Sequence, residues 1–288
     1  MAKNGEKGYL MSMKIELQKW LQEDGIGQHQ YYFEALPKAP VKSVIKIKSH
    51  LILAGLPWFR AVFEELSNQK FDHSSWGEWE GQSFKQGTVL ELPMNFRFDV
   101  ALTGERLALN LLQRASAVAT TTRKYVELAG PLGISILDTR KTTPGLRELE
   151  KYAVQLGGGR NHRFHQTDQW MIKDNHKKVF GSLKAAWDFF QSVGGPYQNV
   201  IVEIHDLIEL REAQALGVRY FLLDNFTEEM LLESLKLKGQ GQHYEISGGV
   251  TLETIQIYLK KGVDAISIGH LTQFPHPIDL SFKFERCE

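Results

Sequence analysis

From residue 133 onward, six short apolar runs, GISIL, QWMI, VIV, YFLL, HYEI and AISI, each give way to a polar or small residue: Asp138, Lys173, Glu203, Asp224, Ser247 and Gly269. Any one of these is as readily a cap or a salt-bridge partner, but six in phase argue for one shared site. In ILDTRKTTPGLRELEKYAVQLGGG, Arg140 and Lys141 fall in the loop directly after the first run. Arginine offers a planar fork matched to carboxylate or phosphate, and lysine a mobile point charge. The run Gly157 to Gly159 leads into NHRFHQTDQWMIKDNH, which brings in His162 and Arg163 and closes its apolar WMI on Lys173. A lysine in that place is either a Schiff-base nucleophile or an anion clamp, and the neighbouring cations favour the clamp.

Glu203 and Asp224 supply the acidic side. Paired carboxylates act as acid and base, or hold a hard divalent cation that bridges substrate phosphates. For a polyphosphate substrate the favoured reading is Mg2+, held directly or through water. His162, His165 and His176 are not spaced as metal ligands are. SGGVTLETI places Ser247, Gly248 and Gly249 immediately before an expected helix, and SIGHLTQ repeats the small-residue turn at Gly269. Glycine lets the backbone approach closely, and helix N-terminal amides bind phosphate. Arg140, Lys141, Arg163 and Lys173 outnumber Glu203 and Asp224, which suits a carboxylated acceptor beside a phosphorylated donor.

The elements that must position these residues follow from the rhythm of the chain. Apolar strands alternating with helical segments predict a parallel sheet covered by helices, and of the two architectures that satisfy the crossover rule we take the β/α barrel. In such a barrel the C-terminal strand ends converge on one face, and the last two strands often cradle phosphate. Asp206, with Glu209 placed for a capping box, and Ser182, Thr227 and Thr251 are expected N-caps, while Gly194, Gly217 and Gly262 mark helix exits. Ahead of the barrel, the residues from Gly104 to Leu128 predict a long amphipathic helix with Leu107, Leu111, Ala115, Val118, Thr122 and Tyr125 on one stripe. Further upstream lie a helical stretch (Ile15 to Leu21), an alternating segment (Val41 to Ile47), a helix opened by Pro57, and WEGQSFKQGTVLELP, which reads as a β hairpin. The expected plan is a mobile leader at 1–14, a smaller α+β sandwich domain at 15–112 joined by a strand from 276–288, and an incomplete parallel β/α barrel at 113–275.

Lys plus Arg and Asp plus Glu both number 34, so no net field draws the whole molecule to nucleic acid or membrane, and any anion preference is local. The single cysteine, Cys287, excludes a disulfide framework or a cysteine metal site and fits a reduced cytoplasm. No run of about 18 apolar residues reads as a membrane span.

The segments GERLALNLLQRAS, ILDTRKTTPGLRELEKYAV, GGGRNHRF, MIKDNH, LLDNF, ISGGVTLETI and DLSFK together resemble the quinolinate phosphoribosyltransferases, over roughly residues 50 to 284. The resemblance implies transfer of phosphoribose from phosphoribosyl pyrophosphate to the ring nitrogen of quinolinate, with loss of carbon dioxide and pyrophosphate and a requirement for Mg2+. By matched position Arg106, Arg140, Arg163 and Lys173 would grip the two carboxylates, with His162 beside them. Lys141, Glu203 and Asp224 would serve the donor and its metal, and Ser247, Gly248, Gly249 and Gly269 would receive the 5-phosphate. Arg106 would reach in from a neighbouring subunit, which implies a homodimer with shared sites; some relatives assemble further. Three places depart from the family pattern: QEDGIGQHQYYF stands where a Gly-Asp-(Ser/Thr) segment is usual, His205 where an acidic or amide residue is frequent, and Gln273 where histidine is common.

Three other readings compete. A related phosphoribosyltransferase, such as the homologue found beside molybdenum transport systems, would act on another acceptor. A barrel aldolase would use Lys173 as a Schiff base. A sensor would bind phosphorylated metabolites without turning them over.

Overall fold

A computed structural model describes residues 16–27, 30–72 and 76–287. The expected leader lies outside them. Contacts divide the chain into two units: the described residues through Thr121 with Thr143–Gly157 and Pro275 onward, and Thr122–Thr142 with Gly158–Phe274. The division falls within the 32-residue helix Phe98–Ala129, which starts six residues before the expected Gly104.

The first unit is antiparallel. Its strands are β1 (Pro40–Ile47), β2 (Leu51–Ile52), β3 (Ser83–Phe84), β4 (Val89–Glu91) and β5 (Phe96–Arg97). In β1, Val41, Ser43, Ile45 and Ile47 are buried while Lys42 and Lys46 face solvent, the alternation of a strand covered on one side. The strand Leu280–Arg286 pairs with β1 along nearly its whole length, from Val41 opposite Arg286 to Ile47 opposite Leu280. WEGQSFKQGTVLELP is not a hairpin: β3 pairs with β2, and β4 pairs with β1. Alternation identifies strands but does not choose their partners. The core is aromatic, with Phe59 against Phe63 at 5.0 Å between centroids, Phe63 against Phe96 at 4.5 Å and Phe59 against Phe282 at 5.4 Å. Helix Leu56–Ser67 starts at Gly55, whose amide, with that of Leu56, donates to the two carboxylate oxygens of Glu80 at 2.8 and 3.1 Å. A carboxylate there satisfies amides that the helix itself leaves without acceptors.

The second unit contains β6 (Ser135–Leu137), β7 (Trp170–Ile172), β8 (Val200–Ile204), β9 (Tyr220–Asp224), β10 (His243–Ser247) and β11 (Ala265–Ser267). All pair in parallel, in the order β6-β11-β10-β9-β8-β7. Among the described residues the edge strands β6 and β7 share no ladder, so the barrel is incomplete, and Arg160 makes an isolated bridge to Leu137 at that edge. Asp206, Ser182 and Thr227 cap their helices, each side chain accepting an amide three residues on. Thr251 does not: its helix begins only at Ile255, and the Thr251 amide donates to Thr254 Oγ1 at 2.9 Å in an intervening turn. No helix among the described residues is long and apolar enough to cross a membrane.

Candidate active site

At the C-terminal ends of the parallel strands the second unit encloses a cavity of about 630 Å³. Arg140, Lys141, His162, Arg163, Lys173, Glu203, Asp224, Ser247, Gly248, Gly249 and Gly269 all line it. Strand ends that are far apart in sequence are thus brought together, as barrel topology requires. Arg106 is not among the lining residues; it is exposed on helix Phe98–Ala129, in the first unit. His165 is exposed, and His176 Nδ1 accepts the Lys173 amide at 3.0 Å, a helix-capping role.

Asp138 ends β6 but does not line the cavity: it is fully buried, accepting the Asn161 side-chain amide at 2.6 Å and the His162 backbone amide at 2.9 Å. The Gly157 to Gly159 run before them is an ordered return. The Arg160 backbone amide donates to the Ile136 carbonyl at 2.8 Å, and the Asp138 backbone amide to the Arg160 carbonyl at 3.2 Å. His162 and Arg163 are therefore set on the rim from β6. Burial, and then the charge of Arg140, lower the pKa of the Arg163 guanidinium from its ordinary value. Arg140 is exposed and Arg163 half-buried, and two like charges this close favour an anionic ligand between them. Thr272 Oγ1 donates to the Lys141 carbonyl at 2.8 Å and so secures the cationic loop.

Lys173 Nζ forms an ion pair with Glu203 Oε2, and Glu203 itself is 7% exposed. The other carboxylate oxygen of Glu203 lies 3.9 Å from His205 Nε2, which is also 3.8 Å from Asp224 Oδ2. Asp174, Glu203 and His205 each offer a donor atom, all within 4.8 Å of one another. Carboxylates around one imidazole nitrogen are donors that fit a divalent cation. The spacing of the chain points to neither Asp174 nor His205 as a metal donor, because it does not reveal that β7 and β8 lie side by side.

Gly248 and Gly249 both have positive φ, 98° and 58°. A Cβ on Gly248 would stand 2.3 Å from Asn225 Oδ1, so only glycine allows this turn to pack on the end of β9. The turn is not followed directly by a helix as expected, since the next helix, Ile255–Tyr258, begins six residues after Gly249. Backbone amides of the turn are then the available anion donors. Gly269 caps the short helix His270–Gln273, and a Cβ on it would come 3.1 Å from the Lys141 side chain.

The cavity also contains Glu245, which the reading of strand ends missed. It stands two residues before Ser247 in β10 and therefore shares its face, a period-two relation visible in HYEIS.

Known proteins similar to this chain identify its family. The N-terminal domain model of quinolinate phosphoribosyl transferase matches residues 30–116 and the C-terminal domain model residues 118–283. A Bacillus subtilis protein named probable nicotinate-nucleotide pyrophosphorylase [carboxylating] is 45% identical over 180 residues, 62% of each chain. The Rattus norvegicus nicotinate-nucleotide pyrophosphorylase [carboxylating] is 38% identical over 272 residues, 92% of this chain and 88% of its own. The crystal structure of NadC from Streptococcus pyogenes superposes with a TM-score of 0.84 at 33% identity, covering 94% of this chain and 97% of that one. With both domain models matched in order over a barrel whose rim carries the expected cations and glycine turn, the chain belongs to the quinolinate phosphoribosyltransferase family.

Proposed function

We propose that this chain transfers the phosphoribosyl group of phosphoribosyl pyrophosphate to the ring nitrogen of quinolinate, releasing pyrophosphate and carbon dioxide, to give nicotinate mononucleotide for NAD biosynthesis. The observation that carries this reading is the presence, in one cavity, of Arg140, Lys141, Arg163 and Lys173 together with the small-residue turn at Ser247, Gly248 and Gly249. A dicarboxylate and a phosphorylated donor need both halves of that inventory.

Arg140, Arg163 and Lys173 bind the two acceptor carboxylates, with His162 beside them and Arg106 reaching the same substrate from a second copy in a homodimer. Lys141, Ser247, Gly248, Gly249 and Gly269 hold the phosphates of the donor, and Glu203 and Asp224 face its ribose. Glu203 and Asp224, with His205 alongside, would hold a Mg2+ ion directly or through water, and the ion would supply positive charge that stabilises the leaving pyrophosphate. Fixing the ring nitrogen over the anomeric carbon supplies much of the acceleration, and no covalent enzyme intermediate is needed. Once alkylated, the ring is cationic: the carboxylate beside the ring nitrogen leaves as carbon dioxide, its bonding electron pair stays on the ring carbon next to the positive nitrogen, and a proton from solvent then completes the C–H bond. Lys173 can release that carboxylate because Glu203 is already its partner. The cytoplasm, with the single cysteine reduced, is the compartment we assign.

The deciding assay combines purified protein, quinolinate, phosphoribosyl pyrophosphate and Mg2+. Nicotinate mononucleotide and carbon dioxide should appear in equal amounts, and nicotinate should fail as acceptor. Equal use of nicotinate sinks the dicarboxylate specificity, and no product with either acceptor sinks the assignment. An aldolase reading is disfavoured because Lys173 Nζ is engaged by Glu203 and not left free to attack a carbonyl. Borohydride trapping of a carbonyl substrate on Lys173 would restore that reading.

A further inference from the structure

Glu245 has no task in the mechanism above. It pairs in register with Leu222, which lines the same cavity together with Met171, and both of these are buried apolar residues. A carboxylate takes the equivalent place on β10, with its side chain 12% exposed. Its Oε1 is buried without a hydrogen-bond partner and lies 3.4 Å from His162 Nε2. An acceptor kept in such a place is costly unless a donor meets it.

The tautomer of His162 identifies the donor. The Arg163 backbone amide donates to His162 Nδ1 at 2.7 Å. A ring nitrogen that accepts carries no hydrogen, so in the neutral imidazole the proton is on Nε2, the nitrogen facing Glu245. On its other side the His162 backbone amide is held by Asp138 Oδ1 at 2.9 Å. The Arg163 guanidinium is anchored in turn on the Gln169 carbonyl at 2.8 Å.

We propose that Glu245 is a positioning residue that acts through His162: it accepts a hydrogen bond from the Nε2–H group, fixes the ring, and by way of the ring fixes the backbone from which Arg163 reaches the cavity. The proposal rests on the reading that Arg163 binds an acceptor carboxylate. A small closure of the 3.4 Å gap when substrate enters completes the chain of bonds from β10 to Arg163. Its effect falls on acceptor binding and leaves donor binding alone.

The test has two parts. In 15N-histidine-labelled protein, with the His162 signals assigned by their loss in His162→Asn from among the 10 histidines, the wild type should show one protonated and one accepting ring nitrogen, with the proton on Nε2. Observation of the Nδ1 tautomer, or of a fast average of the two, overturns the proposal without recourse to any variant. Glu245→Gln keeps an acceptor oxygen and should hold the quinolinate KM within about twofold, whereas Glu245→Met removes it and should raise that KM about tenfold with the phosphoribosyl pyrophosphate KM nearly unchanged. The proposal fails if Glu245→Met leaves the His162 signals and the quinolinate KM as in wild type, if both KM values rise together, or if Glu245→Gln behaves like Glu245→Met. Should the wild type not use quinolinate at all, the functional reading falls, while the nitrogen spectrum still judges the contact between Glu245 and His162.

Discussion

Asp138 and His162, separated by a helix and a glycine return in sequence, are joined by a hydrogen bond of 2.9 Å from the His162 amide to the Asp138 carboxylate. Through it a fully buried strand end sets the position of a cationic loop on the rim. Asp138→Ala would leave the His162 amide and the Asn161 side chain without that acceptor. It should cost about 2–4 kcal/mol of stability and a larger share of acceptor affinity than of donor affinity. Urea unfolding and the two KM values measure these losses, and unchanged acceptor affinity would mean that the loop is held without Asp138.

If Arg140 binds an acceptor carboxylate as proposed, Arg140→Ala should lower kcat/KM about a hundredfold or more. Its circular dichroism and melting temperature should match wild type, because the change removes pocket charge and not core packing. Retained activity would take Arg140 out of the site.

Arg106 is exposed, on a helix outside the cavity lining. If it serves a neighbouring copy, Arg106→Ala and Arg140→Ala should each be inactive alone, yet regain activity when mixed. Random exchange in a two-fold dimer makes half of the molecules mixed, each with one intact site, so recovery should approach about a quarter of wild type. No recovery after exchange proven by mass spectrometry would count against a shared site.

Gly248→Ala puts a Cβ 2.3 Å from Asn225 Oδ1 at a φ of 98°. The turn must shift, with a loss of roughly 1–3 kcal/mol and a KM for phosphoribosyl pyrophosphate raised about tenfold or more, while quinolinate affinity changes little. A donor KM equal to wild type would place the phosphate elsewhere.

Burial raises the pKa of the Glu80 carboxyl above its ordinary value, against the pull of the Gly55 and Leu56 amides and the Tyr152 hydroxyl. The folded chain therefore binds that proton more tightly than the unfolded chain. The stability linked to it is complete below the ordinary glutamate pKa and is lost as pH rises through the elevated folded value. The stability difference between wild type and Glu80→Ala should then shrink from about pH 4 upward, as read from denaturant midpoints across pH. A difference that widens would show that the amide bonds outweigh the desolvation.

Much of the site could be read in the chain because each barrel strand is a short apolar run that ends on a chemically distinct residue, and topology gathers such ends. Glu245 is less legible for a related reason: it lies inside its strand and not at the end, although the strand period puts it on the same face as Ser247 two places later. His205 and Asp174 depend on the adjacency of β7 and β8, which no local pattern encodes. The hairpin expected around Ser83 to Glu91 failed similarly, since partners at Leu51–Ile52 and in β1 are chosen by packing at long range. Thr251 has the right side chain for a cap, but the chain makes one more turn before its helix starts.

The pairing of β1 with Leu280–Arg286 has a consequence for how the protein is made. Lys48 and Asp279, which meet at the end of that ladder, are 231 residues apart in sequence. While the ribosome makes the intervening barrel, one edge of β1 has no partner and is open to the same edge on another nascent chain. Lys42 and Lys46, exposed along β1, put like charges on any two such edges that approach. They guard the growing polypeptide until residue 286 emerges and the first sheet closes.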